Sequence, residues 1–241
     1  MKKTIISLSL LLAVTLSQAQ GVGMSCQYFP GLQVGFVSVK TTGSVAYNYK
    51  YGAPVPLLLI DRLSNHWYTN LDFSSVYYAA TQTNKANDNR LKISKAEGSV
   101  IAGRLGYAWG KGDQFRFGFF GAFGLSTSNL DSLRMPMDQL QKKYYLNYGG
   151  GLVAYKKFGK FKIMGKIGYD IYSRKSYITK GHGLYFEGTI GYTFYQKYGL
   201  SIMPCFFSKK FDYIPAGGSA TTPANAKVKS FVLRIGLTKF F

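Results

Sequence analysis

Apolar and polar positions alternate most clearly along FKIMGKIGYDIYS (161–173). Phe161, Ile163, Ile167, Tyr169 and Ile171 share one parity; Lys162, Met164, Lys166, Gly168, Asp170 and Tyr172 share the other. Successive side chains of a strand point to opposite faces, so this is a strand with one oily and one mixed face. The same reading predicts strands at 99–109, 115–125, 144–156, 183–195, 198–208 and 227–241. Nearer the start, 31–40 reads as a strand, and 44–51 and 70–79 are further candidates. Connections alternate in length. Those at 110–114, 157–160 and 196–198 are tight, whereas 126–142, 174–182 and 209–227 are longer and polar.

The oily rows hold almost no charge, while the opposite rows carry Lys, Asp and Glu in mid-strand. In water such rows need a second sheet to cover them. In hydrocarbon they need no cover, and the polar rows can line a lumen. Short turns at one end and long loops at the other also fit a membrane barrel better than a Greek-key sandwich. The predicted fold is therefore all-β, a closed antiparallel transmembrane β-barrel. Eight strands is the favoured count, with 41–97 as a long outer loop. Ten is the alternative, if 44–51 and 70–79 join the wall.

The first twenty residues change the picture next. Lys2 and Lys3 precede an apolar run from Ile5 to Leu16, then Ser17, Gln18 and Ala19. This is the layout of an export signal, with cleavage expected after Ala19. Residues 1–19 then form the signal peptide and 20–241 the barrel domain. The later run PVPLLLI (54–60) is far too short for a membrane helix. Composition agrees with a turn-rich β-protein: 17% aromatic, with 20 Tyr, 18 Phe and 28 Gly in 241 residues. Net charge is +20, which points to an anionic partner or to solvated strand ends. No nucleic-acid motif accompanies it, so no nucleic acid is expected as partner. Cys26 and Cys205 are too differently placed to suggest a disulfide and read as free thiols.

The chain ends KVKSFVLRIGLTKFF. Phe231, Leu233, Ile235, Leu237 and Phe241 share its oily face, with Lys239 departing from the pattern. This ending resembles that of bacterial outer-membrane barrels, whose last residue is an outward aromatic. The likeness implies that these residues serve as a signal to the barrel-assembly machinery. It further implies a small OmpA/OmpX-like barrel in a Gram-negative outer membrane, porin-like in build, and SQAQ (17–20) with the Tyr/Lys-rich style of the chain resembles exported proteins of the Bacteroidetes type.

Candidate chemistry follows from the inner face. Arg104, Arg116, Lys162, Lys166 and Arg234 point inward with Asp170 and Glu187, an expected lumen charge network. A small barrel is filled by side chains, so these charges must pair or stay wet. The surplus bases leave a narrow anion-favouring pore as an alternative, and a role within a secretion or uptake machine as another. Asp170 and Glu187 could pair for acid–base work but read as counter-ions. His66 in SNHW and His182 in KGHG match no hydrolase signature, so a non-catalytic chain is expected, a lipid-modifying enzyme being less favoured. No cofactor or metal is expected. Trp109, Tyr144, Tyr148, Tyr169, Tyr192 and Tyr198 are candidates for aromatic girdles. Lys142, Lys143, Arg174, Lys175, Lys180, Lys209 and Lys210, with Lys85, Arg90, Lys92 and Lys95, fall in expected outer loops. There they would meet phosphates of lipopolysaccharide. The expected function is structural or surface-binding, through these basic loops, with a protein partner left open.

Overall fold

The computed structural model describes residues 24–27, 31–41, 45–55, 57–64, 66–84, 90–110, 114–127, 144–173, 178–213 and 224–240. Twelve strand segments occur in it: Met24–Gln27 (β1), Gly31–Thr41 (β2), Val45–Val55 (β3), Leu57–Ser64 (β4), Trp67–Asn84 (β5) and Arg90–Trp109 (β6). Arg116–Thr127 (β7), Tyr144–Phe158 (β8), Phe161–Tyr172 (β9), Ile178–Tyr195 (β10), Tyr198–Tyr213 (β11) and Ala224–Phe240 (β12) complete the set. All pairings are antiparallel and they close into a ring.

The twelve segments make ten staves. β1 and β2 both lie against β12, with Ser25 opposite Phe240 and Leu32 opposite Ile235. β3 and β4 continue each other in the same way, with Val55 opposite Gly31 and Leu59 opposite Gln27. Proline stands between β3 and β4 at position 56, and it has no N–H to give to a ladder. The eight-strand arrangement, with 41–97 outside the wall, is thus corrected to the ten-strand alternative. Most of 52–64 is strand as well. β4 runs to Ser64 and β5 starts at Trp67.

Pairing also continues further from the membrane than hydrophobic periodicity reveals. β6 begins at Arg90, β10 at Ile178, and β11 reaches Tyr213. Lys180, His182, Lys209 and Lys210 therefore sit in strands rather than in loops. The tight turns, the start of β1 and the end of β12 share one end of the ring. Gly110 (φ 100°) and Gly159 (φ 56°) supply left-handed backbone there that a side chain would strain.

The expected inversion of oil and polarity is observed. Along β9, Met164, Lys166, Gly168, Asp170 and Tyr172 are buried, while Ile163, Ile167, Tyr169 and Ile171 are exposed. Leu105 (60%), Phe123 (62%), Leu184 (48%) and Leu200 (46%) repeat this on neighbouring strands. Fully burying such a side chain is worth about 1.5–3 kcal/mol. Leaving a belt of them half-open to water would cost on the order of 20 kcal/mol, more than a typical net stability of roughly 5–15 kcal/mol. Hydrocarbon around the wall removes that cost. On β12 the parity holds as well: Leu237 is exposed, Phe231, Leu233 and Ile235 are half-buried, and Val232, Arg234, Thr238 and Phe240 are buried. Phe241 and residues 1–19 lie outside the described residues.

Inside, side chains fill the space. Phe120 and Tyr185 lie over Gly151 and Gly168, which face each other across β8 and β9. A Cβ at either glycine would meet a ring. Leu63, Tyr68, Val153, Tyr155 and Met164 pack with them. A second apolar group holds Leu59, Met203, Cys205 and Val232. Cys205 is a buried free thiol.

Candidate functional site in the barrel lumen

Five side chains from five strands form a closed circuit across the lumen. Arg104 on β6 donates through both terminal nitrogens to Glu187 on β10, at 3.1 and 2.7 Å. Lys166 on β9, directly opposite Glu187 in register, lies 3.0 Å from Oε2, the oxygen that also accepts from Arg104 Nη1. Lys166 also donates to both oxygens of Asp61 on β4, at 3.3 and 3.1 Å. Asn70 on β5 donates to Asp61 (2.8 Å) and accepts from Arg104 (2.8 Å). Tyr68 adds a third donor to Asp61, at 3.0 Å. Lys166, Asp61 and Glu187 are at most 2% exposed. The Arg104 guanidinium also stands 5.0 Å from the Tyr185 ring centre and 5.9 Å from that of Phe120. Such stacking lets a weakly hydrated cation sit among rings.

The remaining inward charges take separate partners. Arg234 pairs with Asp72 at 3.2 Å. Asp170 accepts from Asn147 at 3.0 Å. Arg116 is buried and donates to the Leu63 carbonyl at 3.4 Å. Lys162 lies near the short-turn end, its Nζ 4.3 Å from the Phe240 ring centre. Asp170 and Glu187 stand in different clusters, each with its own donors. Asn70, Tyr68, Asp61 and Asp72 are not among the expected lumen residues, because the favoured reading puts 41–97 in an outer loop and 70–79 joins the wall only in the ten-strand alternative. These two acids offset much of the surplus positive charge that suggested an anion passage.

Two further placements concern the outer ends of the strands. Lys209 turns inward, its Nζ 5.3 Å from the Tyr172 ring centre and 5.6 Å from that of Phe207. Lys210 and Lys180 are exposed on the outer face. Lys85, Lys142, Lys143, Arg174 and Lys175 lie outside the described residues. The two histidines are far apart. His66 occupies the turn between β4 and β5, stacked on Tyr107. His182 stacks on Tyr169 near the opposite end of the wall.

Neither a protein family nor a curated protein matches the sequence. Solved structures do match. Outer membrane protease OmpT from Escherichia coli is similar over 92% of this chain and 98% of its own, at 9% identity and a TM-score of 0.51. The fold is that of an outer-membrane β-barrel. The CymD monoaromatic hydrocarbon channel and a TodX monoaromatic hydrocarbon channel mutant are also similar, over 94% of this chain each. Identities there are 10% and 8%, and TM-scores 0.32 and 0.31. The likeness to OmpT corrects one expectation. A barrel built in this way was expected to be non-catalytic, yet the same architecture carries a protease, so the fold gives no ground for that reading. Nor does any of these likenesses narrow the chain to the OmpA/OmpX type.

Proposed function

We propose that this barrel resides in the outer membrane and holds phosphate groups of lipopolysaccharide at its long-loop end. The observation that carries this reading is a register ladder on the outer face of β10, β11 and β12. His182, Lys210 and Lys227 lie directly opposite one another, and Lys40 of β2 takes the next register position. Lys229 and Ser208 form the row below, and Phe186, Phe206 and Phe231 a row of rings below that. Rings followed by cations is the order met on leaving hydrocarbon for an anionic headgroup layer. Like charges directly opposite on a sheet destabilise it, and a phosphate between Lys210 and Lys227 would reverse the sign of that term. The lumen circuit supports a braced, closed wall beneath this edge, and Phe231, Leu233, Ile235, Leu237 and Phe241 remain the proposed assembly signal.

Hydrogen bonds to charged groups are worth about 1.5–3 kcal/mol each. Lys210→Ser or Lys227→Ser is therefore expected to weaken lipopolysaccharide binding about tenfold, and the pair more. Titration of fluorescent lipopolysaccharide onto the detergent-solubilised barrel measures this, with Lys197→Ser at the short-turn end as control. Equal loss in the control, or no loss in the pair, would remove the reading.

A further inference from the structure

The lipid-facing wall is not evenly covered. A hollow of about 980 Å³ opens over β4 to β8. Its cause is visible in the register. One outward row runs Arg62, Thr69, Leu105, Gly121, Gly150 across these five strands. The next row up runs Ile60, Leu71, Gly103, Phe123, Tyr148. Three glycines thus meet at the centre of these two rows. A Cβ on Gly103 or Gly121 would find nothing nearer than 3.8 Å, so the space above them is open. Below lies a belt of rings, Trp67, Tyr107, Trp109 and Phe119, each touching the next at 5.6–6.0 Å between ring centres.

Among the outward-facing residues that line it, the polar ones sit at one end; Asn70 and Arg104 also border the hollow but bond to each other inside the lumen. Arg62 and Thr69 face each other across β4 and β5, close to the short turn at His66 and with Met24 of β1 beside Arg62. Gly121 and Gly150 stand further from their own short turns, so the row climbs away from that end. Five strands span about 19 Å between the outer two. With strands tilted by about 40°, the row rises about 12 Å, close to one leaflet of a hydrocarbon core roughly 30 Å thick. The hollow thus has a cation at headgroup level and a groove running into the leaflet.

We infer that this hollow binds an anionic glycerophospholipid of the leaflet at the short-turn end. Its phosphate meets Arg62 and Thr69, and an acyl chain lies over Gly103 and Gly121 against Leu71, Leu105 and Phe123. An arginine fork suits a phosphate because it can give two parallel hydrogen bonds. The rest of the outward-facing lining is mainly apolar and matches a chain.

Native mass spectrometry of the whole mature barrel, released from mixed phosphatidylglycerol and phosphatidylcholine, tests this. Phosphatidylglycerol should be retained in preference on the wild type. Arg62→Gln should reduce that preference about tenfold while still retaining lipid. Gly121→Leu fills the groove and should reduce retention of both lipids about tenfold. Gly165→Leu makes the same change at an outward glycine of β9 with open space around it, outside the hollow, and should leave retention unchanged. Equal retention of the two lipids by the wild type overturns the assignment. So does a dimer that Gly121→Leu dissociates, which would give the hollow to a second copy of the chain. Should Gly121→Leu fail to fold, the headgroup preference of Arg62→Gln decides alone.

Discussion

Glu187→Leu is expected to destabilise the barrel by about 3–5 kcal/mol, the usual loss when one partner of a buried ion pair is removed. Glu187 faces Arg104 and Lys166 at once, and leucine leaves both cations buried with Asp61 as the one carboxylate of the circuit. The fall should be larger than for Glu187→Gln, whose amide oxygen still accepts one hydrogen bond. Adding Arg104→Met to Glu187→Leu removes the cation whose carboxylate is lost, since Lys166 keeps Asp61, and should recover part of the loss, a non-additive result that a pair in contact requires. Urea unfolding of the barrel in lipid vesicles, followed by the gel shift between folded and unfolded forms, gives these differences. A loss below about 1 kcal/mol for Glu187→Leu would mean that water already solvates the circuit.

Ile167→Arg should cost about 2–4 kcal/mol in a bilayer, the penalty for a cation on the lipid face near mid-depth. Ile167 is 45% exposed on the outer face of β9, and its neighbour Lys166 is a cation buried in the lumen. Two adjacent positions of one strand thus tolerate opposite chemistries. Were the outer face in water, the same substitution at an exposed site would fall within roughly 0.5 kcal/mol of neutral. The same vesicle unfolding assay separates the two, and Ile190→Arg on β10 repeats the test at an independent outward site.

Part of this was legible in the residues. The parity of β9 and β10 already put Lys166 and Glu187 on the inner face, and their place as consecutive strands of an antiparallel barrel put the strands side by side. Parity cannot give the partner across the barrel, so Arg104 could be placed in the lumen without its bond to Glu187. Asn70 and Asp72 carried a usable signal, since WYTNLDF alternates beyond a tight turn, whereas Asp61 follows the unbroken apolar run LLLI with no alternation to place it. Two features hid it. Prolines at 54 and 56 looked like the close of any strand, and Arg62 and Thr69 broke the oily outer row. Those two residues interrupt the row where the wall hollow begins, so the pattern failed at a place with its own chemistry. The basic ends of β10 and β11 were read as loops for another reason. Above the hydrocarbon both faces are wet, and nothing forces an alternation that would reveal a strand.

Spin labels placed one at a time along β9 test the outward-facing oil most directly. Labels at 163, 167, 169 and 171 should collide freely with oxygen dissolved in lipid and be shielded from a water-soluble nickel complex. Those at 164, 168 and 172 should be poorly reached by either reagent, giving a period of two along the strand. Nickel access at the odd positions, or the loss of that period, would contradict a wall whose solvent is hydrocarbon.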